Sequence, residues 1–200
     1  MDIKRLEKLA DKLRINEYQA IVCETGDDAV SFIKKHCKGK IVGMGDSHSV
    51  IEIGLIEALQ SDGVELYACQ LDKSRENKLR TISSDIFVLS ANAISEETGE
   101  IVNIDSSCNR VAGSLYGPEV IFVIGANKVK ANLSDAIDRA KNIAAPRNNA
   151  VHEYATPCVK SNRCEDCATY DRICRATVIY HKKPKTQKAT VVLINEDLGF

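Results

Sequence analysis

The run VIFVIG at residues 120–125 decides the fold class, because it is apolar throughout and ends in glycine. A run with no polar residue at alternate positions is typical of a strand that is buried on both faces. The runs IFVLS at 86–90 and YQAIVC at 18–23 have a similar character. Segments with helical periodicity, such as 27–39, lie between these runs. The alternation predicts an α/β fold with a mainly parallel sheet that is covered by helices.

An antiparallel element is predicted after the strand at 86–90. Residues 91–94 and 100–104 flank Glu-Glu-Thr-Gly at 96–99, and glycine at the end of such a segment is typical of a hairpin turn. A hairpin that joins a parallel sheet makes the sheet mixed. We therefore expect a mixed, mainly parallel sheet.

The order of the segments divides the chain into three parts. Residues 1–146 are predicted to form the α/β core, and 147–175 a four-cysteine metal-binding segment. Residues 176–200 contain two further strands, which are predicted to complete the domain. A helix predicted over 135–145 is expected to end before Pro146, because proline lacks the N–H group that a helix interior uses.

The composition of the chain excludes several classes of protein. Its 200 residues are 44% hydrophobic and carry a net charge of −1, so neither a nucleic-acid nor a membrane partner is expected. The first 14 residues form an amphipathic pattern without the apolar core of a signal peptide. No stretch reaches the roughly 20 apolar residues of a membrane span. We expect a cytoplasmic protein, whose eight cysteines are thiols or metal ligands and not disulfides.

Four of the cysteines are concentrated near the C-terminus with the spacing C-x5-C-x2-C-x6-C. They are Cys158, Cys164, Cys167 and Cys174. Four thiolates complete the ligand set of a tetrahedral zinc ion or of an iron–sulfur cluster. Zinc ribbons generally use two short C-x-x-C pairs, and this segment has one. Residues 147–188 contain nine Lys and Arg against four Asp and Glu, which favours an anionic [4Fe–4S] cluster, with zinc as the alternative.

The other four cysteines carry no metal pattern. Cys23, Cys37 and Cys69 lie in or beside apolar runs and are predicted to be core residues. Cys108 lies in a polar segment, where it is open to three interpretations: a nucleophile, a ligand or a thiol without a role. We favour the last.

The segment GMGDSHS at 43–49 is the first candidate ligand loop. It follows a short predicted strand and precedes a helix, which is where open α/β sheets bind ligands. Gly43 and Gly45 let the backbone approach an anion, and Ser47 and Ser49 add hydroxyl donors. His48 is a candidate for proton transfer. The alternative is a tight turn in which a serine only caps the helix.

The segment NIDSSCNR at 103–110 is the second candidate. Asn103, Asn109 and Arg110 are candidate ligand-binding residues, since a guanidinium pairs well with a carboxylate or phosphate. Asp105 is a second candidate for proton transfer. The alternative is a loop in which these side chains satisfy backbone groups locally.

The third candidate, Asn127 and Lys128, directly follows the run at 120–125. The carboxyl ends of parallel strands meet at one edge of a sheet, so the three candidates are expected to form one pocket. Its cationic and amide groups predict a small anionic metabolite as the ligand. A lysine that is only solvated is the alternative for Lys128.

With these motifs in view, the chain resembles the LUD-domain family of lactate-utilisation-type proteins. The resemblance extends over roughly residues 5–200. Its motifs are GMGDS at 43–47, SANAI at 90–94, TGEIVNID at 98–105, NRVA at 109–112, GP at 117–118, GANK at 125–128, AP at 145–146 and the cysteine segment. The resemblance implies the fold of ribose-5-phosphate isomerase, glucosamine-6-phosphate deaminase and CoA transferases.

The resemblance also implies a redox setting. Some members of the family belong to iron–sulfur-containing systems that oxidise L-lactate to pyruvate with partner subunits. The leading interpretation is a redox-linked protein that binds a small anionic metabolite beside a [4Fe–4S] cluster. A redox partner protein and a homo-oligomer are compatible with this interpretation. One alternative is an isomerase-like or transferase-like enzyme with structural zinc. Another is a non-catalytic sensor subunit, so the sequence leaves catalysis open.

Overall fold

The structure, a computed structural model, describes residues 2–200, which form ten strands in two sheets. The strands in chain order are β1 Gln19–Cys23, β2 Val42–Met44, β3 Leu66–Ala68, β4 Ile86–Leu89, β5 Ala93–Ser95, β6 Ile101–Asp105, β7 Glu119–Gly125, β8 Val129–Lys130, β9 Ala176–Tyr180 and β10 Lys188–Ile194. Every strand predicted from an apolar run is present within the usual uncertainty of strand ends.

The larger sheet has six strands in the order β1-β10-β7-β4-β2-β3, and all its neighbouring pairs are parallel. β10 lies between β1 and β7, with Val191 opposite both Ala20 and Phe122. The last long strand of the chain is therefore an interior strand of the sheet, and the region after residue 176 is part of the domain core.

Alternate residues of the long strands enter two separate cores. In β7, Val120 and Phe122 lie in a core on one face of the sheet, while Ile121 and Val123 lie in a core on the other face. Both sets are buried, so the strand has no solvent side and needs no polar residue. This is the physical reason for the uninterrupted VIFVIG run.

The hairpin predicted from sequence belongs to a second sheet, which differs from the expected single mixed sheet. β5 and β6 pair antiparallel, and this sheet of four strands has the order β8-β5-β6-β9. Ile94 and Ile101 pack with Phe87 and Leu89, so the small sheet stacks face to face on the large one. The stacking buries the apolar face of the hairpin against the large sheet. The mainly parallel α/β fold is confirmed.

Nine α-helices cover the sheets within the described residues. They are α1 Ile3–Ile15, α2 Gly26–Cys37, α3 His48–Glu52, α4 Leu55–Ser61, α5 Arg75–Ile82, α6 Asn109–Tyr116, α7 Leu133–Arg139, α8 Ala145–Val151 and α9 Pro157–Ser161. α1 buries Leu6, Leu9 and Leu13 between the sheets, as their helical spacing predicts. Thr25 and Asp28 form a capping box that starts α2.

Three helical features differ from the sequence prediction. The helix predicted over residues 50–60 is two helices, because Gly54 between them adopts φ 66°. α6 lies in a segment for which no helix was predicted. The helix predicted to end before Pro146 continues to Val151 through a π-helical turn, Ala140–Ala144. The π-helical turn ends at Ala144, and Pro146 is the second residue of α8. Proline is tolerated in the first turn of a helix, because a backbone N–H group there has no α-helical partner to lose.

Among residues 2–200, no helix is both long enough and apolar enough to cross a lipid bilayer. Cys23, Cys37 and Cys69 are buried in the core, as predicted.

The close contact between β2 and α5 gives a test of the fold. A Cβ atom at Gly43 would lie 2.1 Å from the backbone oxygen of Thr81. We expect Gly43→Ala to lower the free energy of unfolding by about 3 kcal/mol, because backbone atoms must move apart. Chemical denaturation with urea measures this change.

Gly39→Ala is the matched control, since Gly39 has φ 73° and no atom within 4 Å of an added Cβ. Only the conformational cost of about 1 kcal/mol applies there. Equal costs for the two variants would show that β2 and α5 do not pack as described.

Candidate functional site

Two adjoining cavities open at the carboxyl ends of β2, β4 and β7. The inner cavity has a volume of about 50 Å³, and its polar lining is Asp46, Ser47, His48, Ser90, Asn92, Arg110, Lys128 and Asn148. The outer cavity has about 270 Å³, and its charged lining is Asp46, Lys73, Lys78, Asp105, Arg110 and His152. Asp46, Arg110 and Asn148 line both, so the two cavities form one continuous site.

Lys128 is the most unusual residue of the inner cavity. Its side chain is buried, and Nζ donates hydrogen bonds to Oγ of Ser49 at 2.6 Å and Oγ of Ser90 at 2.8 Å. No carboxylate of the described residues forms an ion pair with it. Burial, reinforced by the positive charges of Arg139 and Arg110, lowers the pKa of Lys128 from 10.5 to about 7.

Arg110 is the second cation of the inner cavity. Its Nη2 donates to the backbone oxygen of Ser90 at 3.1 Å and to Oδ1 of Asn103 at 3.2 Å. Its Nε is buried and has no hydrogen-bond partner among residues 2–200. A Cβ at Gly45 would lie 2.8 Å from Cγ of Arg110, so the glycine makes room for this side chain. Arg110 therefore faces the site with unused donor capacity.

The two proton-transfer candidates lie in different surroundings. The ring of His48 lines the inner cavity, with its centroid 4.3 Å from that of Phe200. Burial lowers the pKa of His48, so the ring is predominantly neutral at neutral pH. Asp105 lines the outer cavity, but its carboxylate accepts the backbone N–H groups of Ser106 and Val111. The carboxylate of Asp105 thus holds the start of α6 in place.

The glycine loop has a structural explanation that the sequence did not give. Gly43 is required by the contact with α5, and Gly45 by Arg110. Ser47 does not cap α3; its Oγ is buried and has no partner among the described residues. Ser47 and His48 of this loop line the inner cavity, whereas Gly43 and Gly45 do not.

The three candidate asparagines have different neighbours. Asn103 is buried and accepts hydrogen bonds from Arg110 and from the backbone of Asn92. Asn109 lines the outer cavity, where Nδ2 donates to Sγ of Cys69 at 3.4 Å. The amide of Asn127 accepts from the backbone of Leu198 and donates to that of Gly199. Asn127 therefore fixes the last residues of the chain.

Two site residues, Ser90 and Arg139, were not among the sequence candidates. Ser49 and Ser90 hold Lys128, and Ser90 follows β4 at its carboxyl end, a position that could have indicated it. Arg139 is buried in α7 and donates to the backbone oxygens of Asn92 and Asn127. Nothing in the helical pattern of α7 distinguishes this arginine from a solvated one.

The four C-terminal cysteines converge on a third cavity of about 20 Å³, which we call the cysteine cavity. It is lined by Cys158, Cys164, Cys167 and Cys174, together with the polar residues Lys141, Asn149, Glu165, Asp166 and Arg172. Arg172 donates to the backbone oxygens of Cys167 and Cys174, and thereby folds the loop around the thiols. Burial, together with the nearby Cys164, raises the pKa of Cys174 to about 11. All four predicted ligands therefore face one small space.

A shared cavity is not by itself a metal site. Within residues 2–200, no group of three or more Cys, His, Asp or Glu side chains has the geometry to hold a metal ion. The structure thus shows a cluster of thiols, and the expected metal-binding function of this segment is not shown.

The cysteine cavity and the inner cavity are neighbours. Ala145 lines both, and Ile173, which lines the inner and outer cavities, directly precedes Cys174. The π-helical turn that precedes Ala145 supplies Ala144 to the inner cavity and Lys141 to the cysteine cavity. One helix therefore separates the thiols from the cationic site.

Comparison with known proteins gives a family and a fold. The sequence profile of the LUD domain matches residues 6–194. No curated protein matches the sequence. A DUF162 family protein from Deinococcus radiodurans, solved by crystallography, is similar over 96% of both chains with a TM-score of 0.55 and 12% identity. At this identity the structural similarity shows a common fold.

The burial of Lys128 predicts a pH-dependent stability. The pKa of Lys128 is 10.5 in the unfolded chain and about 7 in the folded chain. Between these pH values the lysine is protonated in the unfolded state and mainly neutral in the folded state. Because the unfolded state binds more protons in this window, stability rises with pH there, by up to about 1.4 kcal/mol per pH unit. We expect Lys128→Met to lack this rise in urea unfolding between about pH 7 and pH 9.

The wild-type chain is the control for all other titrating groups, since the two proteins share them. Parallel stability profiles for the two proteins over this range would contradict the lowered pKa.

Proposed function

The chain belongs to the LUD-domain family, and from this premise we propose that it is a redox-linked protein of lactate-utilisation type. It binds a small anionic metabolite in the joined inner and outer cavities. A [4Fe–4S] cluster is bound beside that site by Cys158, Cys164, Cys167 and Cys174. The observation that carries this proposal is that the cysteine cavity and the inner cavity share Ala145.

The charge of the inner cavity supports an anionic ligand. Lys128 and Arg110 both donate to Ser90, through its hydroxyl and its backbone oxygen respectively. Two cations held this closely, with no carboxylate of the described residues paired to either, are stabilised by an anion between or beside them. The free Nε of Arg110 and the free hydroxyl of Ser47 are donors for that anion.

Proton transfer is assigned to His48 in this proposal. Its ring lines the same cavity as Lys128, and its lowered pKa keeps it neutral and able to accept a proton near pH 7. Asp105 is the second candidate, and its carboxylate accepts two backbone N–H groups at the edge of the outer cavity. In the outer cavity, Lys73, Lys78 and Asn109 are available to a larger ligand.

The chemistry of the thiol group fits an iron–sulfur cluster. Four thiols surround one cavity, which is the number of ligands that such a cluster needs. Lys141 and Arg172 also line it, but Glu165 and Asp166 balance their charge, so the support comes from the thiols. When bound, such a cluster supplies one-electron transfer, so a redox partner protein belongs to the proposal. The segment between Ser161 and Ala176 has no regular secondary structure, which lets its cysteines adjust to a ligand.

An isomerase-like or transferase-like enzyme with structural zinc is the second candidate. The size of the cysteine cavity favours it, because about 20 Å³ is close to the space that one water molecule needs. A single ion would therefore require a smaller movement of the loop than a cluster would. The same four cysteines would bind the zinc.

The identity of the metal is tested on protein purified without oxygen. We expect about four iron atoms and four inorganic sulfides per chain, with a broad visible absorbance that dithionite bleaches. Cys164→Ser and Cys167→Ser are each expected to lose most of the iron. Metal analysis by mass spectrometry and absorption spectroscopy measure both.

Cys108→Ser is the matched control, because Cys108 lines none of the three site cavities. It should retain wild-type iron. A colourless protein with one zinc per chain would overturn the iron–sulfur proposal in favour of structural zinc, and a protein without metal would overturn both.

The anion site is tested by calorimetric titration with pyruvate and with L-lactate. We expect Arg110→Ala to weaken the binding of these ligands at least tenfold, since a charged hydrogen bond contributes about 1.5–3 kcal/mol. Arg80→Ala is the control, because Arg80 contacts Tyr67 and Glu76 on the surface. Equal affinities for the two variants would show that Arg110 does not hold the anion.

A further inference from the structure

Nζ of Lys128 donates hydrogen bonds to two hydroxyl oxygens, those of Ser49 and Ser90. Ser49 donates its hydroxyl hydrogen to the backbone oxygen of Leu198. Ser90 has a backbone acceptor of its own, the oxygen of Ala91 at 3.3 Å. Both serine oxygens are therefore free to accept from Nζ of Lys128.

This arrangement matches a neutral amine. A neutral amine has two N–H groups, which is the number of hydroxyl acceptors around Nζ, and one lone pair that remains unused. An ammonium group would have a third N–H, for which residues 2–200 supply no acceptor. The two neighbouring guanidinium groups, of Arg110 and Arg139, oppose the ammonium form further.

Lys128 has no ion pair among residues 2–200, and the charge of Glu52 favours its ammonium form less than burial and the two arginines oppose it. Replacing it by methionine would fill similar space without the cost of burying the amine. The amine lines the inner cavity, where a ligand can reach it. These features are those of an amine nucleophile that reacts with a carbonyl group.

We propose that Lys128 forms an imine with a small 2-oxo acid whose carboxylate is held by Arg110. The proposal rests on the proposed function for the inner cavity as the anion site. Nζ attacks the carbonyl carbon, a C–N bond forms, and the carbonyl oxygen leaves as water with the two amine hydrogens. His48, which lines the same cavity, relays the protons. No electrons are gained or lost in this step.

The geometry supports a ligand with adjacent carbonyl and carboxylate groups. Lys128 and Arg110 both contact Ser90, one through the hydroxyl and the other through the backbone oxygen. The inner cavity of about 50 Å³ has room for roughly three or four water-sized groups. Pyruvate and glyoxylate are of this size, and a longer 2-oxo acid would extend into the outer cavity.

The test is reductive trapping with pyruvate and cyanoborohydride, followed by peptide mass mapping. We expect one carboxyethyl group per chain, located on Lys128. Lys128→Arg, which keeps a long polar side chain and has no nucleophilic amine, is expected to lose at least nine-tenths of the trapped product. Lys188→Arg is the control, because Lys188 begins β10 at the opposite end of the strands and is exposed.

A trapped group spread over surface lysines, or none at all, would overturn the proposal, and the map of the wild-type chain decides this without any variant. Calorimetric titration with pyruvate, without the hydride reagent, distinguishes binding of the anion from formation of the imine. Binding without trapping on Lys128 overturns the imine and leaves the anion site in place. Neither binding nor trapping overturns both.

Discussion

The insertion of β10 between β1 and β7 is the constraint on which the rest of the structure depends. Seven residues of β10 pair in parallel with β7, and five with β1. The sheet cannot form its centre until the last part of the chain has returned. The chain between β7 and β10 therefore lies outside the large sheet, and both of its ends are held by that sheet. This segment contains Lys128, Arg139 and all four C-terminal cysteines.

The path of this segment explains why the inner cavity and the cysteine cavity are adjacent. Lys128 lies immediately after β7, and the helices from Leu133 to Val151 then cross the open face of the small sheet, against Val102 and Ile104. The cysteine segment follows and returns through β9, which pairs with β6. The thiols and the cationic cavity consequently lie on two sides of the same helical segment.

The inner cavity contains groups that weaken the fold. Lys128 is buried without a counter-ion among residues 2–200, and its burial next to Arg110 and Arg139 opposes protonation. Arg139 offsets part of this cost, because it donates to backbone oxygens of Asn92 and Asn127 and so holds two loops together. A site that keeps such groups buried is typical of one that is selected for chemistry and not for stability.

The sequence by itself determined the strands, the parallel class of the fold, the helical stripe of α1 and the four thiols of one segment. These follow from local periodicity and spacing, because burial on two faces requires apolar residues at consecutive positions. It also indicated Arg110, Lys128 and His48, since each follows the carboxyl end of a strand or a predicted strand. Gly43 and Gly45 were predicted to let an anion approach the backbone, and in the structure they make room for Thr81 and Arg110.

Only the tertiary structure decided the separation into two sheets, the burial of Lys128 and the partners Ser49, Ser90 and Arg139. These depend on which distant segments meet: Lys128 and Ser49 are 79 positions apart in the chain. Hydrophobic periodicity records whether a residue is buried, but it carries no information on which polar group lies opposite. The pKa of Lys128 and the adjacency of the two cavities arise from such contacts, which exist only when β10 is paired between β1 and β7.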